Sequence, residues 1–388
     1  MSFSEYLNAK PLFYDEIDYT RMPRVYEKIK ESLPTPKIIH IIGTNGKGTT
    51  GRFLANALYS IGFNTGHYTS PHILEFNERI YLNDKNVTDT ALEVAHIELQ
   101  TLLDADDAAS LSYFEYTTLL GMIIFKECDY VVMEAGLGGE HDATAVFPKT
   151  LTLVTPIAYD HEAFLGSSIE QIAKTKLMAI QNNAILATQK YNEVYEVAQT
   201  LVSERALKIY KVDELLNQSD IENIEKIAKN LSLVAYLKEN LSLSIAALNF
   251  LKIVYTQSNF SSKPLFGRVS KISKNIVVDV GHNALAASRV AEALSGEKFT
   301  LVYNSYKDKN YKEILFILKP LIWEVEIIEV ENQRVEDIAK IKKALDDLDI
   351  KHTIFKEIKE DKNYLVFGSF SVVEKFLKGY IDVSKQTV

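Results

Sequence analysis

The chain reads as two α/β units in tandem, the first built around a phosphate-binding loop. Three observations predict this. A β-branched run, Ile38-Ile39-His40-Ile41-Ile42, passes directly into Gly43-Thr44-Asn45-Gly46-Lys47-Gly48-Thr49-Thr50. Strand-length apolar runs then alternate with helix-period segments, the pattern of a largely parallel sheet. At 388 residues the chain also exceeds what one hydrophobic core usually serves, and the alternation restarts after a polar, proline-bearing stretch, Ser258–Pro264. The expected division is 1–264 and 265–388.

Residues 1–37 carry scattered aromatics (Tyr6, Phe13, Tyr14, Tyr19, Tyr26) and a short helix face of Tyr26, Ile29 and Leu33, stopped by Pro34 and Pro36. They read as a packing arm. The isoleucine run suits a buried strand. The glycines after it allow a tight turn and close backbone approach to a ligand. Phe53, Leu54, Ala57, Leu58 and Ile61 form one helix face, so a helix is expected to begin near Thr49. Its free N–H groups and dipole favour a phosphate, Lys47 adds a point charge, and Thr49 or Thr50 can offer a hydroxyl to a metal. Gly48 separates Lys47 from Thr49, a departure from the common G-x-x-x-x-G-K-[ST] spacing. The bland alternative, a glycine-rich turn that binds nothing, is disfavoured by the order strand, loop, lysine, helix.

A second strand ends in Thr69-Ser70-Pro71-His72, which places Ser70 where it can ligate magnesium. Residues 73–90 read as a long loop with a hairpin from Arg79 to Val87, open to interpretation as a flap. Helices are expected over 91–103 and 112–125, with Tyr113, Phe114 and Tyr116 read as core. The strand Asp129–Glu134 ends in a carboxylate before Ala135-Gly136-Leu137-Gly138-Gly139, the place of an acidic magnesium ligand beside a phosphate loop. The strand over 151–157 ends near His161, which as a nitrogen donor is the odd member beside Ser70 and Glu134. A helix over 168–180 puts Lys174 and Lys176 on a face read as solvated. A strand at 184–187, a polar middle and a helix over 241–255 complete the unit. The second unit shows strands at 275–280, 299–303, 324–330, 352–357 and 364–367. Helices lie between them at 285–294, 312–321, 335–348 and 372–380. Asp279, Gly281, His282 and Asn283 follow its first strand and Lys307-Asp308-Lys309 its second.

A net charge of −9 argues against broad nucleic-acid or anionic-membrane binding. Cys128 is the single cysteine, which excludes an intrachain disulfide and reads as a buried small hydrophobe. No apolar run approaches a membrane span and nothing reads as a signal peptide, so a cytoplasmic protein is expected.

Taken together, Gly43–Thr49, Tyr68-Thr69-Ser70-Pro71-His72, Glu134–Gly139, Tyr159-Asp160-His161, Phe266-Gly267-Arg268, Asp279–Asn283 and Phe367-Gly368-Ser369 resemble the folylpolyglutamate synthase / dihydrofolate synthase branch of the Mur ligase family. The resemblance implies a P-loop central ATPase domain with a smaller Rossmann-like C-terminal domain. It implies ATP contacts from Gly46, Lys47, Gly48, Thr49, Asn240, Arg268, Asp279 and His282. It implies Mg2+ ligation by Ser70, Glu134 and His161, and pterin contacts from Ser112, Tyr113, Phe114, Glu115, His141, Asp142 and Ala143, which reverses the core-only reading of those aromatics. Lys176 matches a lysine that becomes carbamylated; with Lys47 and His161 it forms the implied catalytic set. The implied reaction is ATP-dependent ligation of L-glutamate to dihydropteroate and/or to the glutamate tail of folates through an acyl phosphate, shielded from water by closure of the second unit. A monomer with no nucleic-acid or membrane partner is expected. Three segments depart from the pattern: Glu140-His141-Asp142-Ala143-Thr144-Ala145 for Arg-Leu-Asp-Ala-Thr-Asn, Lys176-Leu177-Met178 for Lys-Ala-Gly, and His282-Asn283-Ala284 for His-Asn-Pro. The alternatives weighed are a Mur-type ligase acting on a cell-wall precursor, a P-loop kinase or NTPase, and a nucleotide-binding regulator without turnover.

Overall fold

The computed structural model describes residues 1–11, 18–262 and 264–386. Phe13 and Tyr14 of the arm, and Lys263 at the expected boundary, lie outside them. By internal contacts the chain forms two compact units: Met1–Ala158, Glu162–Leu233 and Leu237–Lys263 make the first, and Pro264–Val388 with two short stretches, Tyr159–His161 and Val234–Tyr236, make the second.

The first unit carries β1 (Lys37–Ile42), β2 (Thr65–Tyr68), β3 (Ile80–Leu82), β4 (Lys85–Asn86), β5 (Tyr130–Glu134), β6 (Leu151–Val154), β7 (Asn183–Leu186) and β8 (Lys208–Lys211). They form one sheet in the order β4-β3-β2-β5-β1-β6-β7-β8. The six from β2 to β8 are parallel; β3 and β4 add an antiparallel edge. Ile38, Ile39, Ile41 and Ile42 are buried on both faces of the sheet, as a central parallel strand requires. On one face Phe53, Leu54, Ala57 and Leu58 share a core with Ile39, Ile41 and Val132, joined by Leu241, Ile245 and Leu248. On the other, the arm residues Phe3, Leu7, Met22, Val25, Ile29 and Leu33 share a core with Leu119, Leu120, Phe125 and Met133. Each such leucine or phenylalanine contributes about 1.5–3 kcal/mol of burial. The arm is therefore part of the fold.

Four expectations change. The helix after the loop runs Lys47–Ile61, two residues earlier than its apolar face indicates, because Gly46 at φ +91° turns the chain straight into it. The hairpin within 79–87 is no free flap: β3 pairs with β2, and the Glu78 carboxylate accepts the N–H groups of Ile73, Leu74 and Glu75 at 2.7–2.9 Å. A short helix, Ala105–Ser110, is capped by Asp104, and the polar middle holds the helices Asn192–Arg205 and Gln218–Asn230 around β8. The last helix of the unit runs Ala235–Phe250, so Asn240 lies inside it, not before it.

The second unit carries β9 (Ser270–Ser273), β10 (Ile276–Val278), β11 (Phe299–Tyr303), β12 (Ile322–Ile327), β13 (His352–Ile354) and β14 (Tyr364–Phe367), in the order β13-β12-β11-β14-β10-β9. All neighbours are parallel except β9 on β10. The chain leaves β10, forms the helix Ala284–Ala293 and returns at β11 on the far side of β14, a topological switch point of the kind where open α/β sheets bind ligands. Gly368 at this edge has φ +131°, and a Cβ there would lie 2.0 Å from the Asn304 carbonyl oxygen. Gly368→Ala should therefore destabilise the second unit by about 2–3 kcal/mol. Urea unfolding with the lone Trp323 as probe checks this; an unchanged midpoint would count against it.

Candidate active site

The carboxyl ends of β1, β5 and β2 lie side by side. Ile41 is level with Glu134, and Tyr68 with Met133. The phosphate loop is locked from the β6 side. The N–H groups of Thr44 and Asn45 donate to the Pro156 carbonyl at 2.9 and 3.3 Å, and Thr44 Oγ1 accepts from Ala158 N at 3.0 Å. Gly43, at φ +134°, lets Thr155 approach so closely that a Cβ would sit 2.1 Å from Thr155 Oγ1.

Glu134 is the polar centre of this edge. Its side chain is buried; Oε2 accepts a short hydrogen bond from Thr69 Oγ1 and another from Ser70 N at 3.3 Å. Its Oε1 is 3.7 Å from Lys47 Nζ, which itself donates to the Thr44 carbonyl at 3.3 Å. So Lys47, Ser70 and Glu134 are brought together. Three buried groups nearby have no hydrogen-bond partner among the described residues: Thr49 Oγ1 and Thr50 Oγ1, in the first turn of the helix Lys47–Ile61, and Asn240 Nδ2. Asn240 abuts the loop, since a Cβ on Gly46 would lie 2.5 Å from Asn240 Oδ1. An unpaired buried donor or hydroxyl is costly in an empty protein and well used by a polyanion.

This donor set fits a hard divalent cation. Glu134, Ser70 and Thr49 offer oxygen, and magnesium is commonly held by one or two protein oxygens together with substrate phosphates. Among the described residues no group of three or more His, Cys, Asp or Glu gathers as a metal cage. Lys176 contradicts the solvated reading: it is buried, and Nζ donates to the Gly43 carbonyl at 3.1 Å. Its helix, Ile169–Leu177, also closes on the glycine segment, where a Cβ on Gly139 would meet the Lys176 carbonyl at 2.5 Å.

The remaining residues of the first unit form a second cluster. Ser112 caps the helix Tyr113–Ile124 in a reciprocal box with Glu115, whose carboxylate also takes Arg21 Nε at 2.7 Å. Phe114 lies against Gly136 so tightly that a Cβ there would sit 2.6 Å from its ring. Asp142 holds the glycine segment, accepting from Gly136 N and Leu137 N at 2.9 Å and from Thr144 on its other oxygen. Burial pushes its carboxyl up despite these bonds. Ala143 is buried beside it, and His141 rests on Tyr19 with ring centroids 4.5 Å apart.

In the second unit Asp279 accepts from Gly281 N at 2.7 Å and Val269 N at 2.9 Å, and from Tyr236 Oη at 3.3 Å in the short stretch Val234–Tyr236 that groups with this unit. Arg268 donates to Gly267 O and lies over Phe370. His161, at φ +52°, groups with this unit through its neighbour Asp160. Asp160 accepts from Lys309 Nζ and from Asn283 Nδ2 at 3.1 Å, with His282 Nε2 at 3.5 Å. Burial alone would raise this carboxyl; His282, His161 and Lys309 hold it well below its usual value. Sequence reasoning gave Asp160 and Thr69 no role. An acid between a strand end and a histidine, and a hydroxyl one step past a strand level with Met133, are the signals that would have found them.

A parallel sheet with a phosphate loop, an acid on the adjacent strand end and a second open α/β sheet define a nucleotide-dependent enzyme of two α/β units. No family profile matches the chain. The crystal structure of the Helicobacter pylori folylpolyglutamate synthetase is 38% identical, covers 98% of each chain and has a TM-score of 0.80. The Haemophilus influenzae dihydrofolate synthase/folylpolyglutamate synthase is 29% identical over 97% of this chain and 95% of its own. A bifunctional enzyme of the same name from Yersinia pestis, complexed with AMPPNP and Mn ion, shares the fold at 23% identity, 98% coverage of each chain and a TM-score of 0.82. The chain belongs to the dihydrofolate synthase/folylpolyglutamate synthase family, and it is an ATP-dependent ligase.

Thr49→Val keeps the shape and removes the unpartnered hydroxyl. It should leave stability unchanged or raise it by up to about 1 kcal/mol, while ATP affinity in the presence of magnesium falls about tenfold. Thermal melts and nucleotide titration check the pair; loss of stability with affinity intact would assign the hydroxyl to the core instead.

Proposed function

We propose that this ligase joins L-glutamate to dihydropteroate, to the glutamate tail of a folate, or to both, with ATP as the activating substrate. The observation that carries this reading is the cluster of Lys47, Glu134, Thr69 and Ser70 on neighbouring strand ends, beside Thr49 Oγ1 and Asn240 Nδ2, which have no hydrogen-bond partner among the described residues. Residues 1–264 would hold ATP and acceptor.

On this reading the phosphates lie along Gly46, Lys47, Gly48 and Thr49, at the N-terminus of the helix Lys47–Ile61, with Asn240 donating its free amide hydrogen. A carboxylate oxygen of the acceptor attacks the γ-phosphorus in line, the bond to the β-bridging oxygen breaks, and ADP leaves. Lys47 offsets the charge that spreads over the transferring group. Glu134 and Ser70 would hold a divalent cation, Mg2+, which would supply further neutralisation of phosphate charge. The acyl phosphate is then attacked by the amine of glutamate, which gives up a proton as the tetrahedral intermediate collapses to amide and inorganic phosphate. Phe114, Tyr113 and the stretch His141–Ala143 would bound the pterin. A carbamate on Lys176 would place an anion beside the Gly43 carbonyl, at the foot of the loop, where it can steady the cation site.

Two measurements test this. ADP release should require both an acceptor and glutamate; release that ignores glutamate would discard the ligation step. Lys47→Ala should cut turnover by about 100- to 1000-fold with an unchanged circular dichroism melt. Near-normal turnover would remove Lys47 from the phosphate site.

A further inference from the structure

A buried chain of three polar side chains runs from the strand that feeds the phosphate loop to the glycine segment after Glu134. His40 lies within β1, three residues before Gly43, and is fully buried. Its neighbours in register are Met133 on β5 and Thr152 on β6. The imidazole turns instead to Thr144: its Nε2 lies 2.8 Å from Thr144 Oγ1. Among the described residues neither His40 Nδ1 nor Thr152 Oγ1 has a hydrogen-bond partner. Thr144, also fully buried, brings its hydroxyl to 2.5 Å from Asp142 Oδ1, and its N–H donates to the same oxygen at 3.0 Å. The other oxygen, Oδ2, takes the N–H groups of Gly136 and Leu137, each at 2.9 Å.

The partners fix which atom donates. Three backbone N–H groups point at the Asp142 carboxylate, so it accepts and the Thr144 hydroxyl donates to it. That uses the one proton the hydroxyl has, and its oxygen must then accept from His40 Nε2–H. The ring is neutral, because burial and the nearby charge of Lys149 hold it well below the usual histidine range. A neutral imidazole carries a single N–H, so Nδ1 is bare. This agrees with the lack of a partner at Nδ1, since an unpaired buried acceptor is tolerated more readily than an unpaired buried N–H. His67 on β2 is fully buried too, but the arrangement differs. Its Nδ1 takes Arg52 Nε at 3.2 Å, its Nε2 faces Gly51, and its bonds lead to no carboxylate among the described residues.

The chain of bonds ends where the acceptor cluster begins. Gly136 lies against Phe114, and Ala143 is buried beside Asp142. The phosphate loop is fastened by other bonds, those of Thr44 and Asn45 to Pro156 and of Thr44 to Ala158. We propose that His40 is a positioning residue for the acceptor: through Thr144 it orients Asp142, whose carboxylate holds Gly136 and Leu137 in the conformation that bounds the pterin together with Phe114. This rests on the proposed function above and adds to it a residue from the strand that leads to the nucleotide.

One test needs no substrate. Nitrogen NMR of the imidazoles in the full chain, with the His40 signals identified by their loss in His40→Gln, should show the neutral Nε2–H tautomer at neutral pH. An Nδ1–H tautomer or a protonated ring would overturn the proposal. The second test is binding to the full chain, first of AMPPNP with magnesium and then of dihydropteroate to that complex. His40→Leu should weaken dihydropteroate about tenfold and leave AMPPNP within about twofold. His40→Gln, whose amide returns an N–H toward Thr144, should recover most of that loss. Adding His40→Leu to Thr144→Val should cost nothing beyond Thr144→Val alone, since both act through one chain of bonds. An equal loss for the two ligands, or a lowered melting temperature with both affinities intact, would make His40 a residue of the fold only and overturn the proposal. Glutamate-dependent ADP release by the unaltered chain is followed in parallel. Its absence would overturn the ligase reading, whereas the tautomer reports on the bonds from His40 whatever the substrate.

Discussion

The register of three parallel strands sets the position of Glu134, and most of the site follows from it. Glu134 is the last residue of β5 and is level with Ile41 of β1; the next residue, Ala135, still donates its N–H to the Ile41 carbonyl. On the other side Tyr68 is level with Met133, so Thr69 reaches the carboxylate one step later. Side chains alternate along a strand, so a slip of one residue would turn Glu134 to the opposite face and bury a carboxylate among Leu119 and Met133 or their counterparts across the sheet. Both faces of β5 are filled by apolar side chains, which makes such a slip costly. The acid is held beside Lys47 by the apolar residues of its strand, and the polar contacts only adjust its final orientation.

That arrangement leaves deliberate deficits. Among the described residues, Thr49 Oγ1, Thr50 Oγ1 and Asn240 Nδ2 are buried without hydrogen-bond partners. Each lowers the stability of the protein, because a buried polar group without a partner keeps its desolvation cost. The surrounding structure carries the cost through rigid parts: the Thr44–Pro156 and Thr44–Ala158 bonds on one flank, the Glu78 cap on the other, and the arm core beneath. By contrast, the second unit satisfies its charged groups internally, with Asp160 and Asp279 each surrounded by donors.

What could be read from the chain divides along the same line. The β1 run, the glycine turn and the strand ending in Glu134 are local signals, each contained in fewer than ten consecutive residues, and the structure has a strand at Lys37–Ile42, a turn through Gly46 and a strand ending at Glu134. The second-unit strands Phe299–Tyr303 and Tyr364–Phe367 match their expected bounds for the same reason. Long-range partners were not legible. Lys176 looked solvated because its burial depends on Gly43, 133 positions away. Asn240 was placed outside its helix because Ala235–Glu239 lacks an apolar face of its own, although the helix continues through it. The hairpin after Arg79 looked like a flap because nothing in its residues says that β2 will pair with it.

The three departures from the family pattern can now be weighed by position. In Glu140-His141-Asp142-Ala143-Thr144-Ala145, the retained Asp142, Ala143 and Thr144 are buried and hold the glycine segment, while Glu140, His141 and Ala145 are at least partly exposed. The framework is kept and the rim is changed. In His282-Asn283-Ala284, Asn283 caps the helix, with its side chain accepting from Ala286 N at 2.9 Å, and Ala284 is the first helical residue. Proline is favoured there because that N–H needs no partner, so alanine fills the position at little cost. Met178 replaces a glycine at a helix end, yet its φ is −59°, a right-handed conformation that any residue adopts. Two of the substitutions thus fall where backbone geometry makes no demand, and the third alters only side chains that face outward. A ligase that changed its acceptor without changing its phosphate chemistry would be expected to vary at that rim, because Glu134, Lys47 and Thr69 are tied to the strand register, whereas His141 rests on Tyr19 and faces its own neighbour Glu140.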